Sequence, residues 1–188
     1  MELPLTTRFI DRGSGEGVPG LIRIATDQDL LLWTGWRYRA FDEDRAWDWW
    51  GIYQECRASR GRYECYAALA LEVLQGLTVL DLKTRKTPTG RAITVDYLST
   101  NPVNRKSAQG LKHVGVALMA AATVRSKECG TKGGIWLESL PGAAGFYESL
   151  EMARQPRRSA KGNLIYVLEP ETAEQLLEKI REQGIIAV

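Results

Sequence analysis

The sequence predicts an α+β fold in one domain, and three observations predict it. Strand-like segments broken by turn signals crowd the stretch from residue 64 to 98. A long alanine-rich helix follows, and after it strands and helices alternate to the end of the chain. No internal repeat appears, and no linker is long enough to separate two domains.

Bulk properties narrow the function classes. A chain of 188 residues can bury a substantial core as one unit. Its net charge of +2 gives no general electrostatic case for nucleic acid, so nucleic acid is not an expected partner. No apolar run approaches the roughly 18 residues that cross a bilayer, so no membrane partner is expected. Met1-Glu2-Leu3-Pro4 lacks a basic stretch followed by an apolar block, so a secretory leader is not expected and a cytoplasmic location is. Cys56, Cys65 and Cys129 are odd in number and widely spaced. They fit neither a zinc pattern nor a disulfide framework, and are expected to be reduced.

The elements follow in order. Gly13, Gly15, Gly17, Pro19 and Gly20 predict a flexible loop, with a short strand over 21–26. A helix is expected from Asp42 as N-cap, with Glu43 and Asp44 in its first turn and Gly61 past its end. Trp47, Trp49 and Trp50 on that helix cannot share one face, so some must enter a neighbouring element or a pocket. Strands are expected over 64–74 and 77–82 around a Gln75-Gly76 hairpin. A polar turn over 83–90 precedes a strand over 91–98, and Asn101-Pro102 ends the extended run.

Residues 114–129 make the clearest helix, with Gly130 placed for a left-handed cap. Ala117, Ala120, Ala121 and Ala122 let it pack close to a sheet. A strand over 134–140 leads to Pro141, which opens a helix to about 152. A strand over 163–168 precedes an amphipathic helix over 171–183, with Ala173, Leu176, Leu177 and Ile180 on one face and Gly184 as stop. Residues 185–188 could add an edge strand.

Two motifs occur in order within this frame. The first is Gly110-Leu111-Lys112-His113-Val114-Gly115, followed by Val116-Ala117-Leu118-Met119. The second is the run from Leu140 to Met152 that carries Phe146-Tyr147-Glu148 and Leu150-Glu151-Met152. Together they resemble the GNAT acetyltransferase superfamily over residues 64–168, a little over half the chain. The resemblance implies a mixed, mainly antiparallel sheet, splayed between its fourth and fifth strands, with helices on both faces. Here those strands would be 93–100 and 135–140, and acetyl-CoA would lie in the splay. The implied cofactor-binding residues are Leu98, Ser99, Thr100, Asn104, Lys112, His113, Val114, Gly115 and Val116.

The physical basis of such a loop stands without the resemblance. The first N–H groups of a helix lack partners, its dipole favours anions there, and glycine lets the backbone approach a phosphate. This chain departs from the family pattern at three positions. Gly110 replaces an arginine or glutamine, His113 replaces the first glycine, and Glu151 stands at the glycine of the turn after the fourth helix. Arg105, Lys106 and Lys112 could compensate for the first two. The family's proton-donating tyrosine, carried over, is Tyr147.

Acetyl transfer to an amine needs a neutral nucleophile, donors for an oxyanion, and a thiolate that can leave. Deprotonating a lysine-like amine at neutral pH costs about 4–5 kcal/mol, which a carboxylate base can help to supply. Glu72, Asp81, Asp96 and Glu138 lie on predicted strands, and Glu72 and Glu138 are the leading pair. Alternation places Asp96 on the face of Leu98 and Thr100. Backbone N–H groups around 98–100 would hold the oxyanion. His113 could act as a base or meet a phosphate. Trp47, Trp50 and Tyr53 would line the acceptor pocket, or wedge their helix onto the sheet.

The expected activity is acetyl-CoA-dependent N-acetyl transfer to a small-molecule amine or a protein, by a monomer or homodimer. A second reading is a GNAT-like module that binds CoA or a partner without turnover. A third, RNA contact through Arg154, Arg157, Arg158 and Lys161, competes with the plain reading of a solvated basic run.

Overall fold

The computed structural model describes residues 3–105 and 109–186. Its described residues form one nine-stranded sheet. β1 (Leu5–Asp11), β2 (Gly17–Ile24), β3 (Tyr63–Ala70), β4 (Val73–Thr87) and β5 (Gly90–Thr100) pair in that order, each antiparallel to the one before it. A two-residue β6 (Leu111–Lys112) flanks β1. β5 pairs in parallel with β7 (Ile135–Ser139), and β8 (Ala153–Arg158) and β9 (Leu164–Leu168) complete the order β6-β1-β2-β3-β4-β5-β7-β9-β8. The sheet is mixed and mainly antiparallel. Among the described residues no helix is long and apolar enough to cross a membrane.

Helices cover both faces. α1 (Asp27–Trp33) and α2 (Trp49–Ala58) enclose one core with Trp36, Cys65, Leu77 and Val79. α3 (Val114–Glu128), α4 (Ala144–Ser149) and α5 (Pro170–Glu182) enclose the other with Leu80, Val95, Leu137 and Tyr166. Small residues bring α3 close to the sheet, as its alanines predict. At Gly76 in β4, a Cβ would stand 2.8 Å from Leu118 and 3.0 Å from Val114. The chain's C-terminal side closes the β1 edge. Arg8 N–H donates to the Ile185 carbonyl at 2.8 Å, and Thr7 bridges Ile186. The expected edge strand is thus a single bridge within the described residues.

Several local expectations change. The expected helix start moves from Asp42 to Trp49, because Asp48 is the N-cap and accepts from Gly51 N–H. Asp42 and Asp44 are instead buried in the preceding loop. The hairpin between β3 and β4 turns at Leu71-Glu72, both left-handed, and Gly76 serves helix packing inside β4. β4 and β5 extend through most of the expected polar turn, leaving only Pro88-Thr89 between them. The basic run at 154–158 forms the edge strand β8, where arginines and Pro156 discourage pairing with another chain.

Candidate active site

The fork in the sheet is the centre of the site. β5 and β7 pair only at Ile93–Ile135, Thr94–Trp136 and Val95–Leu137, then separate. Asp96 and Glu138 come next on the two strands. On the β4 side, Val95 pairs with Leu80 and Tyr97 with Val79, which leaves Asp96 as the extra residue of a β-bulge. The bulge shifts the side-chain phase. Val95 and Leu98 pack into the α3 core, whereas Tyr97 packs into the α2 core. The expectation that Asp96 shares a face with Leu98 by simple alternation is therefore corrected.

Asp96 is open to solvent on one side and crowded by charge on the other. Burial, then the Asp81 carboxylate, push its carboxyl up to about 6, with a further contribution from Glu138. Arg85 and Arg62 oppose that shift without cancelling it. Arg62 is held by Asp81 at 2.8 Å, and the Arg85 guanidinium lies 3.7 Å above the Trp136 ring. A carboxyl near 6 is half ionised at about that pH and mostly ionised at neutrality, which suits a base that must take and release protons.

Glu72 occupies the exposed β3–β4 turn rather than a strand, beyond the Gly76–Thr100 pair at the end of the β5 ladder. That placement removes it from the fork. Glu138 is half-buried on β7 at the fork itself. Asp81 is committed to Arg62. The structure thus brings together Asp96 and Glu138, and leaves Glu72 outside.

The other side of the fork carries the phenol. Tyr147 is 6% exposed, with its ring 5.1 Å from Phe146 and 5.8 Å from Tyr166. Burial alone raises its hydroxyl, which keeps its proton at neutral pH. Tyr147 belongs to the α3 core, while the neighbours of Asp96 lie toward α2. Carboxylates and phenol therefore approach the fork from opposite faces.

The loop before α3 is partly as predicted. His113 takes the N-cap position with φ 71, the left-handed conformation that glycine favours. Its carbonyl accepts from Ala117 N–H at 2.9 Å, so the amides of Val114, Gly115 and Val116 have no helical partner. Burial, then Lys112 and Arg12, lower the His113 pKa. Lys112 is exposed, and the Val114 side chain is core. A Cβ at Gly115 would meet the Phe146 ring at 3.1 Å, so this glycine serves the contact between α3 and α4.

Other predicted ligands are already engaged. Asn104 is buried, donates to the Gln75 side chain at 2.9 Å and accepts from Leu111 N–H at 2.7 Å, which shapes the loop. Arg105 does not face a phosphate. Its guanidinium holds Asp44 at 2.7 and 2.6 Å, Ser99 Oγ at 2.9 Å and the Thr100 carbonyl at 2.6 Å. Ser99 Oγ donates to Asp44 at 2.5 Å, so Ser99 can offer a ligand only its backbone. Lys106 lies outside the described residues. Sequence reading missed this latch because Asp44 and Arg105 are far apart in the chain and each resembled an ordinary surface charge.

The aromatic residues divide. Trp47 stands edge-on to Tyr97 at 5.0 Å, which places it beside the bulge. Trp50 is exposed, and the Tyr53 hydroxyl donates to Asp27 at 2.8 Å and ties α2 to α1. Tyr53 also lines an open cleft of about 600 Å³ between α1, α2 and β3, two strands from the fork.

No protein-family profile matches the sequence, and no curated protein matches it. Solved structures do. A structure assigned to the GNAT acetyltransferase family from Desulfovibrio desulfuricans aligns with a TM-score of 0.57 at 19% identity, covering 80% of this chain and 99% of that one. A mutant AtaT toxin bound to acetyl-CoA and the C-terminus of the antitoxin AtaR aligns with 0.58 at 16%, covering 85% and 98%. Mycobacterium smegmatis RimJ, in complex with CoA-disulfide, aligns with 0.57 at 10%, covering 97% and 95%. At these identities the likeness is one of architecture, and it agrees with the forked mixed sheet described above: the chain has the GNAT fold.

Proposed function

We propose that this protein is an acyl-CoA-dependent N-acyltransferase that moves an acetyl group to an amine of a small molecule or protein. The observation that carries the reading is the fork itself. Two carboxylates stand on one face of it and a buried phenol on the other, beside a helix start with unpaired amides. The CoA complexes among the structural neighbours support the choice of cosubstrate.

The residues present fit that cosubstrate. Beyond Val95 the β7-facing edge of β5 has no ladder partner among the described residues, so backbone groups over 96–99 can receive the amides of a pantetheine arm, the Thr100 carbonyl being held by Arg105. The amides of Val114, Gly115 and Val116 suit a pyrophosphate. In this reading Asp96 accepts a proton from the acceptor ammonium, and Glu138 helps to hold the cation at the fork. The neutral amine attacks the thioester carbonyl while N–H groups of the bulged strand stabilise the oxyanion. Tyr147 gives its proton to the departing thiolate, and the second proton shed by the attacking nitrogen restores the phenol through solvent, so the products are an amide, a free thiol and the one proton held by Asp96.

A CoA-binding module without turnover is the second reading, favoured by the histidine in the phosphate loop and by the engagement of Arg105. Calorimetry with acetyl-CoA, followed by thiol release across a panel of amines and peptides, tests both. Affinity tighter than about 1 mM with thiol release supports the enzyme, and binding without release supports the module. Absence of binding removes both.

A further inference from the structure

Charged side chains on the α2-side face of the sheet stand near one another without pairing. Asp81, Thr94 and Trp136 are cross-strand neighbours there, on β4, β5 and β7, and Asp96 and Glu138 follow two residues further along β5 and β7. Arg62 is spent on Asp81, which it holds with two nitrogens at 3.1 and 2.8 Å. Asp96, Glu138 and Arg85 have no ion pair among the described residues.

The backbone holds Arg85 away from those carboxylates. Leu82, Lys83 and Thr84 stand opposite the single residue Ile93, and past this irregularity Arg85 pairs with the small Ala92. From there its guanidinium reaches across β5 and lies 3.7 Å above the Trp136 ring. The stack occupies the flat of the guanidinium and leaves the N–H donors of its edge free for a carboxylate or phosphate. Trp136 is two residues from Glu138, so cation and carboxylates are spaced about 7 Å apart along the strand. Thr94, beside Trp136, has a buried hydroxyl with no hydrogen-bond partner among the described residues, a further polar group open to a ligand on this face.

Opposite charges held apart on one face are the complement of a zwitterion. An uncharged tail would leave Arg85 unpaired, and a second ammonium would meet it as a like charge. We propose that the acceptor is a primary amine carrying a carboxylate or phosphate several bonds from its nitrogen, with the ammonium at Asp96 and Glu138 and the anion on Arg85. The inference rests on the acyl-transfer reading and adds the acceptor's chemical class to it. Arg85 sets specificity and takes no part in the chemistry.

Thiol release at saturating acetyl-CoA, compared for pentylamine, δ-aminovalerate and cadaverine, tests the proposal, because these amines share a chain and differ in the far group. δ-Aminovalerate should exceed pentylamine in kcat/KM by about tenfold or more, chiefly through KM, as a charge-assisted contact remote from the reacting atoms would give. Arg85→Met should level the two, and Arg85→Lys should keep part of the preference. The ratio of two amines within one variant cancels any effect of the substitution on Asp96. Aminopropyl phosphate beside γ-aminobutyrate shows which oxyanion the guanidinium takes. Equal rates for the first pair, a preference for cadaverine, or a preference that survives Arg85→Met overturns the site and leaves the acyl-transfer reading standing. If no amine releases thiol, saturation-transfer NMR with the CoA-loaded protein decides. Selective binding of δ-aminovalerate over pentylamine then keeps the zwitterion site and removes turnover, whereas its absence overturns both.

Discussion

Asp96 and Glu138 each follow directly on the last parallel pair of their strands, Val95 and Leu137. The sheet parts there, and the extra residue of the β5 bulge sets Asp96 beside Asp81 and Glu138. A carboxyl placed so is harder to ionise than a free one, and it is the group whose titration the reaction should report.

Asp96→Asn should lower kcat/KM by roughly 10²–10⁴, the usual contribution of a positioned base. The wild-type rate should climb as pH rises through about 6, where Asp96 loses its proton, and the variant should lack that limb. A pH profile of kcat/KM decides, and an unchanged limb in the variant assigns it to another group. Stability gives an independent reading. The folded-state pKa lies above the ordinary value, so the stabilisation is present below about pH 4 and lost as pH rises through 6. Asp96→Asn should therefore melt higher than the wild type at pH 7, with the gap closing near pH 4.

Tyr147→Phe keeps the ring that packs against Phe146 and Tyr166 and removes only the proton. Turnover should fall by about one to three decades with CoA affinity little changed. Steady-state kinetics alongside calorimetry separates the two effects. A normal kcat would remove this residue from the chemistry.

Arg105→Met should destabilise the fold rather than the phosphate site. It leaves the Asp44 carboxylate, 6% exposed, without its arginine beneath the loop before α2, while Asp42 keeps Arg39 at 3.1 Å. Loss of one partner from a buried pair costs about 3–5 kcal/mol, to be read from urea unfolding. A loss near zero would mean that the latch opens freely in solution.

Gly76→Ala should push α3 off the sheet. Its new methyl would meet Leu118, Val114 and the Ser99 carbonyl, the last at 3.1 Å. Overpacking of this kind costs about 1–3 kcal/mol, and because Val114 opens α3 it should also weaken CoA binding. Thermal melting with and without CoA measures both effects.

The later elements were the most legible in the sequence. α3 is long, alanine-rich and followed by Gly130, and α5 shows its apolar face at helical spacing, so local chemistry and fold agree there. The start of α2 was misplaced because Asp42 and Asp48 offer the same capping chemistry, and Arg39, together with the distant Arg105, draws Asp42 into the loop. Gln75-Gly76 reads as a turn, yet the glycine answers to a helix some forty residues on. Glu72 passed for a strand carboxylate because the true turn, Leu71-Glu72, contains no turn-forming residue. Asp96 was among the candidate bases, but a bulge leaves no mark on a pattern of alternation.

That bulge makes the phase of β5 depend on a single peptide unit. Closing the bulge with every residue kept would turn every later side chain in the strand over, whereas deleting Asp96 closes it and leaves those side chains on their present faces. The first change would bring Leu98 to the tryptophans, while the deletion costs the carboxylate and spares the packing on both faces.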